Sequence, residues 1–154
     1  MVIDKKNDSR IIYAIREPSE IEFLQDLQKY LQDNNNILKQ YDWCFSRIVE
    51  NVDSIYIPYF DSQNQVYRKF YPDFIFWLRH KQSGAYKIIF IGPKGLEHTA
   101  NSIAKADGFE EIFKEFKDDK LPAVFLYFYN KSGTNRIGKL EKLIKESIKD
   151  IFVY

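Results

Sequence analysis

Cysteine is nearly absent: Cys44 is the single one in 154 residues. That excludes a disulfide scaffold and any zinc cluster built on cysteine. Neither sign of charge dominates, with 23 Lys and Arg against 22 Asp and Glu. A uniformly basic nucleic-acid wrapper and an acidic tail protein are both excluded. No apolar run approaches the roughly 20 residues that cross a bilayer. The polar opening segment, residues 1–9, lacks the apolar core of a signal peptide. The phosphate-cradling pattern Gly-x-x-x-x-Gly-Lys-Ser/Thr is missing too, so no nucleotide-driven motor is encoded here. These absences lead to the expectation of a single cytoplasmic domain with no membrane partner. What is abundant is apolar and aromatic: 45% hydrophobic and 17% aromatic residues rule out a disordered chain. A chain of this length buries about 70% of its unfolded surface, enough for one sizeable core.

Periodicity then divides the chain. A short strand is expected over residues 10–15. Ser19-Glu20-Ile21-Glu22 fits a capping box, with Ser19 as N-cap and Glu22 reaching back. Leu24, Leu27 and Leu31 follow at helical spacing, so a helix is expected over 19–32. Strands are expected over 43–49 and 54–60, then a turn at Asp61-Ser62-Gln63-Asn64 and one long aromatic strand over 65–79. The apolar run 86–92 reads as a strand buried on both faces. A helix over 101–116, a strand over 122–129 and an amphipathic helix over 136–151 complete the order. This predicts an α/β sandwich around a mixed sheet. Cys44 is expected to be a small buried hydrophobe. The aromatics from Tyr67 to Trp77 are expected to be core more than a base-stacking platform.

The stretch 54–113 carries the chemistry. Its marks are Tyr56-Ile57-Pro58-Tyr59, Phe70-Tyr71-Pro72-Asp73-Phe74-Ile75-Phe76-Trp77, and Phe90-Ile91-Gly92-Pro93-Lys94-Gly95 with Glu97-His98-Thr99. Lys105 through Asp107-Gly108-Phe109-Glu110 completes them. Together they span about 40% of the chain and resemble the C-terminal endonuclease region of the restriction subunit of type III restriction–modification enzymes. That family belongs to the PD-(D/E)-x-K nuclease superfamily. The resemblance implies a restriction-endonuclease-like three-layer α/β sandwich, its central mixed sheet flanked by helices. It implies Mg²⁺-dependent cleavage of double-stranded DNA by a domain excised from a larger subunit. The partners would be the helicase region of that subunit, where ATP would act, and a methyltransferase subunit that reads the sequence.

The residues make their own case. Mg²⁺ takes carboxylate oxygens and keeps several waters, and phosphodiester hydrolysis uses it to polarise the phosphoryl group and generate hydroxide. Strand alternation puts Asp73 on one face with Tyr71 and Ile75, and Phe74 and Phe76 on the other. In the family the next strand gives a second acid and, two residues on, a lysine on the same face; Lys94 matches that lysine. The acid position holds Gly92, which has no side chain to bind metal. Three explanations stand: an introduced substitution, a naturally degenerate site, or an acid supplied from elsewhere, with Glu97 the nearest. By the resemblance the first helix supplies a third carboxylate. Glu20 lies on the Leu24, Leu27 and Leu31 stripe and is favoured over Glu22, which the capping box already explains, although Glu20 could equally serve to complement the helix dipole. The expected site is therefore Asp73, Lys94 and Glu20 for catalysis, with Asp73 and Glu20 on the metal. Arg68, Lys69 and Lys105 are expected at DNA. The charge pattern agrees, because residues 64–98 carry six basic residues against two acids. Cutting is expected to be weak or absent, and Gly92→Asp is expected to restore it.

Overall fold

The computed structural model describes residues 17–50, 52–92, 99–114, 123–134 and 136–153. Helix α1 (Pro18–Leu31) begins one residue before the expected Ser19. Pro18 stands in its first turn, where a missing N–H costs nothing. Glu17 is the N-cap and makes no side-chain cap. The capping box is thus not formed, and Glu22 instead pairs with Lys131 at 3.4 Å. A 3₁₀ turn (Ile37–Gln40) leads into β1 (Tyr41–Arg47). Strands β2 (Ile57–Asp61) and β3 (Val66–Phe70) form a separate antiparallel hairpin. Asp61 organises its turn by accepting hydrogen bonds from the Gln63 and Asn64 backbone N–H groups, at 3.1 and 3.2 Å.

The long strand expected over 65–79 is two strands in two sheets. Tyr71-Pro72-Asp73 separates β3 from β4 (Phe74–His80). Pro72 has no N–H for a ladder, so the chain leaves one sheet there and enters another. β5 (Tyr86–Gly92) pairs antiparallel with β4. Helix α2 (Thr99–Lys114) crosses over to β6 (Ala123–Tyr129), which lies parallel to β5.

The helix expected over 136–151 is broken. Short α3 (Leu140–Leu143) gives way to β7 (Ile144–Lys145), then α4 (Ile148–Phe152). Gly138 turns the chain at φ +56° before α3. Ile144 is extended, and β7 closes the edge of the sheet on β6. Ser147 then caps α4 by accepting from the Asp150 N–H at 3.3 Å.

The central sheet runs β1-β4-β5-β6-β7 and is mixed. One face carries Phe45, Phe74, Phe76, Ile89, Ile91 and Tyr129 against Phe23 and Leu27 of α1 and Ile151 and Phe152 of α4. The other carries Ile48, Ile75, Phe90, Leu126 and Phe128 against the hairpin and α2. Helices on one face, sheet, then helix with hairpin make the three-layer sandwich of the restriction-endonuclease-like class. Gly108 allows the closest approach in the second layer, because a Cβ there would overlap the Pro58 carbonyl oxygen. Cys44 is exposed rather than buried, since β1 is an edge strand whose residues 42–44 are left exposed. Among the described residues, no helix is long and apolar enough to cross a membrane.

Candidate functional site

The expected site collects at one end of the central sheet, where β4 begins and β5 ends. The β4–β5 register pairs Phe74 with Ile91, and one step further sets Asp73 opposite Gly92. The Ile48 N–H donates to the Asp73 carbonyl at 2.9 Å, so the β1–β4 ladder also continues through this residue. Asp73 is buried, at 9% exposure. It extends the alternation of Ile75 and so belongs to the face that α2 and the hairpin cover. Lys94, Glu97 and His98 lie outside the described residues.

Gly92 is buried on that same face. A Cβ built on it would stand 3.2 Å from Phe128 Cδ1, 3.5 Å from Phe128 Cε1 and 3.7 Å from Phe70 Cζ. The Phe128 ring thus crowds a Cβ at this position, and the Phe70 ring stands in ordinary contact with it. The rings stack on each other with centroids 6.3 Å apart. Lys105 reaches the same corner from α2, its Nζ 4.7 Å from the centroid of the Phe70 ring, a cation–π distance.

Glu20 is buried, at 3% exposure. It stands in the first turn of α1, on the helix that packs the opposite sheet face, where Phe23 stacks on Phe74 at 5.0 Å. Its neighbour is Arg47, the last residue of β1. Arg47 Nη2 lies 3.1 Å from Glu20 Oε2. The contact satisfies charge without a well-aligned hydrogen bond: Glu20 Oε2 and Arg47 Nε are both buried and make none. Sequence reading passed over Arg47. Its signal was there, a lone cation at an inward position of a strand, two residues after the core Phe45.

Behind this pair runs a second polar line. Tyr129 Oη donates to Asp26 Oδ2 at 2.6 Å, and Lys131 lies 3.1 Å from the same carboxylate. Burial, then the Asp26 hydrogen bond, pushes the Tyr129 phenol well above its ordinary range.

The expected DNA contacts sit on the hairpin and α2. Arg68 pairs with Asp61 at 2.7 Å, and the Asn64 side-chain hydrogen bond, then the one from Arg68, holds the Asp61 carboxyl down at about 2. Lys69 is exposed and lies over the Tyr56 ring at 4.6 Å. The aromatics nearby divide: Phe70, Phe74 and Phe76 are core, whereas Tyr67 is 74% exposed and packs edge-on to Phe60. A cleft of about 580 Å³ opens between the hairpin and α2. Its charged lining residues are Asp107 and Glu111, a sign that repels phosphate.

The fit to Mg²⁺ follows from these positions. Such an ion needs converging oxygens. Glu20 and Asp73 approach from different sheet faces, Glu20 is held by a guanidinium, and the Phe128 ring crowds the Cβ position at Gly92. Among the described residues, no group of three His, Cys, Asp or Glu comes together to hold a metal. The described residues therefore do not form a metal site of the kind the resemblance implies. No curated protein and no solved structure matches the chain. The model of the YagJ family matches residues 10–150, and the chain belongs to that family.

Proposed function

We propose that the chain is a restriction-endonuclease-like domain that binds double-stranded DNA in the cytoplasm and cuts it weakly or not at all in Mg²⁺. The observation that carries this reading is the corner at Gly92, which holds no acid and where the Phe128 ring would crowd a Cβ. Phosphate contacts need no metal, so DNA binding outlasts the loss of cutting. Lys69, exposed on the hairpin, is the cation best placed for it, with Lys105 of α2 and Arg68 beside it. By the resemblance, a helicase region and a methyltransferase subunit would be the partners in a larger assembly, and that assembly would supply any sequence recognition.

The test is a gel-shift titration of a short duplex across a salt series, with plasmid nicking in Mg²⁺ or Mn²⁺ beside it. Binding should weaken steeply with salt. Lys69→Ala and Lys105→Ala should each lower the slope by about 1, the value for one phosphate contact. Plasmid should stay intact. No salt-dependent binding, alone or in the larger assembly, would leave a pure assembly module. Nicking that Asp73→Ala abolishes would restore an active nuclease.

A further inference from the structure

The cleft between the hairpin and α2 has no part in phosphate binding, because its charge has the wrong sign. Its walls are mostly apolar. Phe60 and Tyr67 stand on the hairpin side, both exposed and packed edge-on at 5.2 Å. Aromatic residues are enriched where one protein buries another, and an exposed apolar patch marks such a place. Helix α2 forms the opposite wall. Ile103, Asp107 and Glu111 line it four residues apart, so they stand in one row along the helix.

The negative charge of that row is only partly answered. Lys139 pairs with Asp107 and, at 2.9 Å, with Glu110. It meets Asp107 through Oδ1, which leaves Oδ2 open to a second donor. Glu111 is exposed and, among the described residues, makes no ion pair. Three carboxylates of α2 thus share one lysine.

The spacing of the row selects what can lie along it. Successive members are about 6 Å apart along a helix. Alternate side chains of an extended peptide are about 6.6 Å apart. An extended segment in the cleft can therefore set an apolar side chain at Ile103 and two cations at Asp107 and Glu111, from positions i, i+2 and i+4. Arginine suits this better than lysine, because a planar guanidinium both forks a carboxylate and stacks on an aromatic face.

We propose that this cleft docks an extended, arginine-bearing segment of a partner protein, held by Asp107 and Glu111 on one side and by the Tyr67 and Phe60 rings on the other. Docking of this kind needs no DNA, so its failure and the failure of DNA binding are separately visible.

The experiment is a fluorescence-anisotropy titration of a labelled, capped peptide, Leu-Thr-Arg-Thr-Arg, with the whole chain at about 0.15 M salt, where charges beyond about 8 Å are screened. The chain carries a net charge of only +1, so bulk charge does not draw a basic peptide in. Binding should saturate with a Kd below about 1 mM, and the peptide with Glu in place of both Arg residues should not bind. Lys in place of both should bind about threefold more weakly. Glu111→Gln should weaken binding of the Arg peptide about threefold, and Glu111→Lys about tenfold or more. Tyr67→Ala should weaken it about threefold. These are exposed positions, so each variant should melt close to the unaltered chain. Failure of the Arg peptide to saturate would overturn the proposal, as would equal binding of the Glu peptide or binding indifferent to Glu111→Lys and Tyr67→Ala. A duplex oligonucleotide that binds the unaltered chain but not Tyr67→Ala would give the rings to nucleic acid and overturn it as well.

Discussion

Replacing Gly92 by Asp puts a carboxylate beside the Phe128 and Phe70 rings. The backbone itself does not object: Gly92 lies in β5 outside the left-handed region. Exchanging glycine for a residue with a Cβ even recovers about 0.5–1 kcal/mol of chain entropy. Against that, the new Cβ sits 3.2 Å from Phe128 Cδ1, and the ring must give way. Overpacking of this kind costs about 1–3 kcal/mol. Among the described residues the atoms nearest that Cβ belong to rings, with Lys105 reaching the same corner; a buried charge left without a fitted partner costs about 3–5 kcal/mol. The net loss is about 3–7 kcal/mol, a large share of the roughly 5–15 kcal/mol that holds a domain together. At about 2–4 °C per kcal/mol for a chain of this size, the melting temperature should fall roughly 6–28 °C in EDTA. Gly92→Ala isolates the steric part and should stay within about 2 kcal/mol of the unaltered chain. Gly92→Asn isolates the charge and should fall between the two. The assay is calorimetry in EDTA and in Mn²⁺, with plasmid nicking on the same samples. From sequence alone the expectation is that Gly92→Asp restores cutting; with the rings in place, the expected result is a destabilised chain that does not cut. A Gly92→Asp protein that melts with the unaltered chain in EDTA, or that nicks plasmid in Mg²⁺, would refute this account of the corner.

Three further outcomes follow from the packing and the titrating groups. Gly108→Ala should lose about 1–3 kcal/mol by overpacking the Pro58 carbonyl, despite the roughly 1 kcal/mol that alanine returns to a helix; the urea midpoint reads it. Lys87 is buried, and burial brings its amine down to about 8. Between there and its unfolded value of 10.5 the unfolded chain binds more protons, so stability should rise with pH across that window. Lys87→Met should flatten the rise in chemical denaturation at several pH values. Tyr129 shows the opposite sign. Its raised phenol stays protonated after the unfolded one ionises near 10, so stability should fall with pH above that point. Tyr129→Phe should cost about 1–2 kcal/mol at neutral pH through the lost bond to Asp26 and weaken the alkaline loss, which the same denaturation series would show.

The regular strands were legible because their pattern is local. Residues 86–92 alternate nothing and carry almost only apolar side chains, and β5 occupies those positions. β6 and α1 fell within a residue or two of their expected ends. The errors share a cause, which is that partners outside the window decide. Residues 136–151 have a helical stripe, yet the edge of β6 offers a ladder, and Ile144 and Lys145 take it. Residues 65–79 look like one strand until Pro72 is given its missing donor. Cys44 looks like a core residue until β1 is known to be an edge. At the candidate site, alternation alone put Gly92 on the same face as Asp73; that the two stand opposite each other is a matter of register, which the β4–β5 pairing sets. That Glu20 would meet Arg47 depends on which helix covers which face, and no spacing in the sequence encodes it.

The bond from Tyr129 to Asp26 joins residues 103 positions apart, and it has a consequence during synthesis. Helix α1 leaves the ribosome early, yet the surfaces that receive Phe23 and Leu27 belong to β4, β6 and α4. At about 5–20 residues per second, roughly 5–20 s separate the emergence of α1 from that of its last neighbours. Through that interval its apolar stripe has no native place to go. A nascent chain arrested near residue 110 should therefore hold a chaperone through α1, and release should come only as β6 joins the sheet.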